Sequence, residues 1–137
     1  MKNKSLKNIK VLLVEDEENI AKLLKSAIGN KFYSFSLALN AKEGLEKFMQ
    51  ISPDIVITDI NMPFMNGLEM ANELKKIDPN IPIIVLSAFS NREKLLEAID
   101  VGVVKYFLKP YDPDEILEYM HSIADKLGCK IVKLCDG

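Results

Sequence analysis

Short apolar segments alternate along the chain with longer segments in which apolar residues recur every three or four positions. The short segments predict strands, because aliphatic runs of about four to eight residues bounded by turn residues are typical of buried strands. The second of them alternates apolar and small polar residues, which indicates a more exposed strand. The five predicted strands are Ile9–Glu15, Tyr33–Leu39, Asp54–Thr58, Ile81–Ala88 and Val104–Lys109.

The longer segments predict five helices, one after each strand. Asn40 and Asp112 are suitable N-caps for the second and fifth helices, and Pro113 suits the first helical position. Gly128 marks the expected end of the fifth helix. The helical period assigns three inward-facing stripes: Ile20, Leu23, Leu24, Ala27 and Ile28; Leu45, Phe48 and Met49; and Leu68, Ala71, Leu74 and Ile77.

Alternation of strands and helices predicts an α/β fold, in which helices cover both faces of a parallel sheet. A length of 137 residues fits one domain, which we expect to span residues 9–127. Four of the first ten residues are lysines, so residues 1–8 are expected to form a flexible basic segment. Residues 128–137 are expected to be a C-terminal tail, either a linker stub or an extra strand.

Composition excludes several classes of function. The formal net charge of -2 gives no reason to expect direct binding of nucleic acid. No apolar run approaches the roughly 20 residues that span a bilayer, and no secretory signal is evident, so a cytoplasmic protein without membrane association is expected. Cys129 and Cys135 are expected to be incidental thiols, because two thiols and a single remote His121 make a poor ligand set.

Polar residues follow the predicted strands at their carboxyl ends. Glu15 and Asp16 end the first strand, Asp59 the third, Ser87 the fourth and Lys109 the fifth. Because ligands bind at the carboxyl edge of such sheets, these residues should lie close together. Clustered carboxylates need a compensating cation, and Mg²⁺ prefers oxygen ligands. The set predicts a site for a transferring phosphoryl group, with an aspartate as nucleophile.

Each of these residues also has an ordinary structural explanation when taken alone. Asp59 could be a turn or cap residue, and Glu15 with Asp16 could belong to an acidic first helical turn. Ser87 could satisfy a backbone group, and Lys109 could be solvated. Their coincidence at the carboxyl ends of four strands favours the chemical interpretation.

Four motifs carry these residues: "VLLVEDE" at the first strand, "DIVITDINMPFMNG" at the third, "VLSA" at the fourth and "YFLKP" at the fifth. With them the chain resembles a bacterial two-component response-regulator receiver domain. The resemblance covers about residues 9–127. It implies a flavodoxin-like, doubly wound sheet of five parallel strands in the order 2-1-3-4-5.

The resemblance also implies a role for each matching residue. Asp59 matches the phosphoacceptor, and Lys109 matches the lysine that pairs with the phosphoryl group. Ser87 and Tyr106 match the hydroxyl and the aromatic residue of the conformational switch. A cis Lys109–Pro110 bond is expected. Mg²⁺ is implied as the cofactor, held by Asp16, Asp59, Glu15 through water, and the backbone carbonyl of Asn61.

The implied partners are a sensor histidine kinase or phosphotransfer protein as donor, and a downstream protein or output domain as target. A phosphorylation-dependent homodimer would use the fourth helix, fifth strand and fifth helix. The domain is not expected to be an enzyme beyond its own phosphotransfer and slow autodephosphorylation.

Phe89, two residues after Ser87, is expected near the mouth of the site. It could shield the acyl phosphate from water, or it could be an exposed aromatic residue of the loop.

Other functions fit the same fold class less well. An aspartyl-phosphate phosphatase resembling the haloacid dehalogenases needs an acid where this chain has Asn61. A nucleotide or flavin module needs a glycine-rich loop after the first strand, and "VEDEENI" has none. A purely structural interaction module is also disfavoured, because such a module does not require the full set of reactive residues found here. A fragment of a longer response regulator, with its output domain missing, is left open.

Overall fold

The fold was analysed in a computed structural model that describes the backbone of residues 6–88 and 92–136, and the side chains of residues 6–88 and 92–124. Five strands form one parallel sheet in the order β2-β1-β3-β4-β5. This arrangement confirms the predicted fold class and strand order. The strands are β1 (Lys10–Val14), β2 (Ser34–Ala38), β3 (Ile55–Asp59), β4 (Ile83–Ser87) and β5 (Lys105–Leu108).

Five helices cover the two faces of the sheet. Two of them pack against one face, and their core includes Leu24, Ile28, Ile116 and Met120. The other three cover the opposite face, against the alternate residues of the strands. The helices are α1 (Glu18–Ile28) and α5 (Pro113–Asp136) on the first face, and α2 (Ala41–Ile51), α3 (Gly67–Ile77) and α4 (Arg92–Val101) on the second.

Side-chain caps begin three of these helices. The Asn40 side chain accepts a hydrogen bond from the Glu43 backbone N–H (2.8 Å) at the start of α2. Asn66 and Glu69 form a reciprocal capping box at the start of α3. At the start of α5, the Asp112 side chain accepts from the Asp114 N–H (2.9 Å). These contacts satisfy N–H groups that helix geometry leaves unpaired, and those at Asn40 and Asp112 confirm the predicted caps.

Four residues of the predicted inward-facing stripes, Ala27 among them, lie at the surface instead. Leu23 is 70% exposed, Met49 63% and Ile77 49%. A helix lying on a sheet buries an apolar stripe only somewhat wider than about 100°. In α1 that stripe is centred on Ala21, Leu24 and Ile28, which leaves Leu23 outside it.

The two ends of the expected domain compare differently with the structure. Leu6–Asn8 form a 3-10 turn in which Leu6 is buried in the core. Residues 1–5 of the expected flexible segment lie outside the described residues, so its flexibility stays a prediction. At the other end, α5 continues through Gly128 to Asp136, so the expected helix stop and the extra strand are both wrong. A glycine within a helix destabilises it by only about 1 kcal/mol relative to alanine, which does not by itself end a helix.

The division of the chain at residues 127 and 128 stays a prediction. The side chains of Cys129 and Cys135 lie outside the described residues. Among the parts of the chain that the structure describes, no helix combines the length and the apolar character needed to cross a membrane.

Parallel register brings the carboxyl ends of the strands to one edge of the sheet. Val14 is paired with Thr58, Asp59 with Leu86, and Ser87 with Leu108. Asp54 lies at the opposite edge, where its carboxylate accepts from the Lys10 N–H (2.8 Å) and its own N–H donates to the Lys10 carbonyl (2.8 Å). Asp54 therefore has a structural role, as its hydrogen bonds with Lys10 show.

Candidate functional site

Three carboxylates converge at the carboxyl edge of the sheet. Glu15, Asp16 and Asp59 each offer an oxygen that lies within 4.8 Å of the others. Glu15 and Asp59 are buried, whereas Asp16 is exposed. The register of β1 against β3 explains the arrangement, because Glu15 follows Val14 and Asp59 follows the paired Thr58.

Lys109 bridges the two buried acids. Its Nζ lies 3.2 Å from Asp59 Oδ2 and 3.4 Å from Glu15 Oε1. The lysine follows β5, which is separated from β3 by β4 in the sheet, so its long side chain reaches across the carboxyl end of β4. A cation in this position offsets the repulsion between two acids that burial has removed from water.

Each buried acid also accepts a backbone hydrogen bond on its other oxygen. Asp59 Oδ1 accepts from the Ile60 N–H (2.7 Å), and Glu15 Oε2 accepts from the Glu17 N–H (3.1 Å). Because one oxygen faces the backbone and the other faces Lys109, both carboxylates are held in defined orientations. The site is thus ordered before any ligand arrives.

The electrostatic environment shifts the pKa of two of these groups. Burial, reinforced by the charge of Asp59, raises the pKa of Glu15 to about 7, although the Glu17 N–H and Lys109 oppose the shift. Burial lowers the pKa of Lys109, but the charges of Asp59 and Glu15 outweigh it and the net pKa is raised. Lys109 is therefore a charged ammonium at neutral pH. The pKa of Glu15 lies close to neutral pH, so both of its protonation states are populated there.

Ser87 and Lys109 are joined through the backbone. The Lys109 N–H donates to the Ser87 carbonyl (2.8 Å), and Ser87 is fully buried at the end of β4. Asp59 is paired with Leu86, the residue before Ser87. The peptide bond between Lys109 and Pro110 is cis, as predicted. The hydroxyl, the ammonium and the nucleophile candidate therefore end three neighbouring strands.

Tyr106 lies in β5, opposite Val85 of β4. It is half-buried and packs against a cluster formed by Val85, Ile60, Leu68 and Ala98. Ile60 directly follows Asp59 and donates its N–H to that carboxylate. The packing thus links the ring of Tyr106 to the backbone next to the acid site.

Asn61 lies in the loop after β3, two residues beyond Asp59, with an exposed side chain. Its backbone carbonyl as a metal ligand stays a prediction. Phe89 lies outside the described residues, so its expected position at the mouth of the site stays a prediction.

Two further residues at the site were not identified from the sequence. Gly67 begins α3 so close to Asp59 that a Cβ would overlap the Asp59 carbonyl oxygen. Its N–H donates to the Ile60 carbonyl (2.8 Å). The sequence signal that was available is a glycine directly after a strong N-cap residue, a position where helices do not need one.

Tyr111 is the second of these residues. It is half-buried, and burial raises the pKa of its hydroxyl; the charges of Lys109, Glu15 and Asp59 also act on it. Tyr111 therefore lies within the electrostatic field of the acid site. Its only sequence signal is its position two residues after Lys109.

The donor set fits a hard divalent cation. Three carboxylates cluster here, and Lys109 pairs with two of them, so two negative charges are left over when all four groups are ionised. Oxygen donors from one or two carboxylates, completed by water, are the usual environment of protein-bound Mg²⁺. Asp16, which is exposed, adds a carboxylate that water and an ion can both reach.

Comparisons with known proteins agree with this geometry. The sequence model of the response regulator receiver domain matches residues 11–121. The chemotaxis protein CheY of Thermotoga maritima is 37% identical over 116 residues, which cover 84% of this chain and 97% of that protein. A CheY-like receiver domain structure from Methanospirillum hungatei is 26% identical, with a TM-score of 0.83 over 92% of this chain and 99% of that one.

The regulatory protein AtoC of Escherichia coli is 33% identical over 107 residues, which cover 78% of this chain but only 23% of that protein. The matching segment therefore occurs both as nearly a whole protein and as one part of a longer one. The chain belongs to the receiver domain family of two-component response regulators.

Proposed function

We propose that Asp59 accepts a phosphoryl group from a phosphohistidine of a sensor histidine kinase or phosphotransfer protein. The supporting observation is the bridging position of Lys109, 3.2 Å from Asp59 and 3.4 Å from Glu15. A carboxylate oxygen of Asp59 forms the new bond to phosphorus as the phosphorus–nitrogen bond breaks. The departing imidazole keeps the electron pair and is reprotonated.

The surrounding groups position and stabilise the transferring phosphoryl group. Lys109 faces its negative oxygens, and the Ile60 N–H fixes the Asp59 carboxylate. Mg²⁺ held by Glu15, Asp16, Asp59 and the carbonyl of Asn61 supplies the remaining positive charge. Catalysis by such sites consists of orientation and electrostatic stabilisation. The domain then promotes its own phosphorylation and slow hydrolysis without turning over a separate substrate.

Phosphorylation shifts the domain between two conformations through Ser87 and Tyr106. The phosphoryl group attracts the Ser87 hydroxyl, and the space that it leaves admits the ring of Tyr106. Support comes from the place of Ser87 beside Lys109 and from the packing of Tyr106 against Ile60. Such a change is a population shift whose size is set by the difference in interactions between the two states.

The surface formed by α4, β5 and α5 transmits that shift to a downstream protein, to an output domain or to a second copy of the chain. Exposed apolar residues on it support this role, since apolar patches at protein surfaces favour partner binding. They are Leu95, Leu96, Ile99, Val104 and Leu108.

Intact-mass spectrometry after incubation with acetyl phosphate and Mg²⁺ tests the proposal. The wild-type protein should gain one phosphoryl group, and Asp59→Asn should gain none. A wild-type protein that stays unmodified would count against a phosphoacceptor role. A phosphatase would instead release inorganic phosphate without accumulating an adduct, and the amide of Asn61 lacks the acid that such an enzyme needs at that position.

A further inference from the structure

Phe64, in the loop between β3 and α3, has two unfavourable properties at once. Its side chain is fully exposed to solvent. Its backbone has a φ of 70°, in the left-handed region that glycine adopts readily and other residues avoid. An exposed aromatic ring is ordinary by itself, but a strained backbone that presents such a ring needs a further explanation.

The loop holds the backbone of Phe64 in a defined conformation. The Met65 N–H donates to the Pro63 carbonyl (2.8 Å), which closes a three-residue γ-turn with Phe64 at its centre. Turns of this kind with positive φ are rare and strained. The Gly67 N–H donates to the Ile60 carbonyl (2.8 Å) and closes the loop at its base, while the buried Met62 anchors it. The direction in which the Phe64 side chain leaves the backbone is therefore fixed before any partner binds.

The position of the loop beside Asp59 indicates which partner would contact the Phe64 ring. Asp59, where the loop begins, is only 6% exposed. A phosphohistidine must reach it at the carboxyl edge of the sheet, and the donor protein must therefore lie over the residues around that edge. The loop carrying Phe64 leaves the sheet directly from Asp59, and the neighbouring exposed side chains of Asp16 and Asn61 are polar.

We propose that Phe64 is a docking residue for the phosphohistidine-bearing domain of the phosphodonor protein, and that it packs against an apolar surface beside the donor histidine. The inference rests on the proposed function, because it continues the interface that transfer to Asp59 requires. A fully exposed ring that becomes buried in an interface is the kind of residue that dominates binding. Small-molecule donors make no such contact and should be indifferent to the ring.

The test compares two phosphodonors. One is acetyl phosphate with Mg²⁺, and the other is the autophosphorylated histidine kinase of the same genome that transfers fastest to the wild-type chain. Phe64→Ala removes the ring, Phe64→Gly removes the ring and relieves the backbone, and Phe64→Tyr keeps an aromatic ring. Tyr33→Ala is the matched control, because Tyr33 is a 71% exposed aromatic residue before β2, at the opposite edge of the sheet.

Phe64→Ala and Phe64→Gly should both lower kcat/KM for transfer from the kinase by about tenfold or more, as expected for a truncated interface anchor. Phe64→Tyr should restore most of the rate, and Tyr33→Ala should not change it. Labelling by acetyl phosphate should be the same in all of these proteins.

Two results would overturn the docking role. One is an unchanged rate of transfer from the kinase to Phe64→Ala. The other is an equal loss with both donors, which would assign Phe64 to the structure of the site. Failure of the proposed function itself is recognised separately, as labelling of Asp59→Asn by either donor at the wild-type rate.

Discussion

Gly67 and Asp59 are in such close contact that position 67, at the start of α3, has no room for a side chain. A Cβ at Gly67 would overlap the carbonyl oxygen of Asp59 and lie 2.9 Å from its carbonyl carbon. The obstacle is backbone, which cannot move aside as a flexible side chain can. The start of α3 therefore supports the backbone of the acid site directly.

Gly67→Ala should destabilise the protein by about 2–4 kcal/mol, because the added methyl group forces α3 away from β3. Urea unfolding followed by circular dichroism measures the loss. Gly29→Ala is the control, since a Cβ there would meet mainly the flexible Lys25 side chain. It should change the free energy of unfolding by less than about 1 kcal/mol, and an equal loss in both variants would contradict the specific role of Gly67.

Lys109→Gln should slow phosphorylation by acetyl phosphate about 100-fold, because the variant lacks the cation that faces Asp59 and Glu15. Lys105→Gln serves as the control. Lys105 is exposed and its Nζ lies above the Phe107 and Tyr119 rings, 5.6 and 5.5 Å from their centroids. Mass spectrometry measures the rate of adduct formation, which should be much lower for Lys109→Gln than for Lys105→Gln. Comparable rates in the two variants would contradict a role of Lys109 in phosphorylation.

Mg²⁺ affinity should rise with pH through the pKa of Glu15, about 7, because the ionised carboxylate helps to hold the metal through water and protonation removes its charge. Titration calorimetry should give binding about tenfold weaker near pH 6 than near pH 8, as one competing proton requires. Glu15→Gln removes the titrating group, so its weaker binding should depend little on pH. A wild-type affinity that is constant over this range would contradict the raised pKa.

The same shift has a consequence for stability without metal. The folded pKa of Glu15 lies above the usual value of 4.5, so the folded protein binds this proton more tightly than the unfolded chain does. The resulting stabilisation is fully present below about pH 4.5 and is lost as the pH rises through about 7. Glu15→Gln should retain it at higher pH, and urea unfolding of the metal-free protein at several pH values would measure the difference.

Tyr106→Trp should convert the switch into a fluorescence signal, because the chain contains no tryptophan and Tyr106 packs against the cluster beside Asp59. Acetyl phosphate with Mg²⁺ should change the emission of this single tryptophan. In the double variant with Ser87→Ala the adduct should still form, but the emission should change much less. If phosphorylation changes the tryptophan emission equally with and without the Ser87 hydroxyl, the movement of residue 106 does not depend on Ser87.

The fold was predictable because its signals are local. Short apolar or alternating segments marked all five strands, Asn40 and Asp112 marked helix starts, and alternation of the elements implied a parallel sheet. The convergence of Asp59, Glu15 and Lys109 followed from the same logic, because parallel strands deliver their carboxyl ends to one edge.

Other features depend on tertiary geometry that local pattern does not contain. The exposure of Leu23 and Met49 depends on how each helix is rotated on the sheet. The lack of space at Gly67 depends on the approach of α3 to β3, and the raised pKa of Glu15 depends on burial next to Asp59. The continuation of α5 past Gly128 shows that a single glycine is a weak stop signal.

The most direct test of the central claim is to locate the phosphoryl group after transfer from a kinase or from acetyl phosphate. Borohydride reduces an aspartyl phosphate to homoserine, which peptide mass spectrometry identifies at a single position. We expect homoserine at residue 59 in the wild-type protein and none in Asp59→Asn. Homoserine at another acid, or a stable phosphoryl group with no homoserine at residue 59, would contradict the central claim.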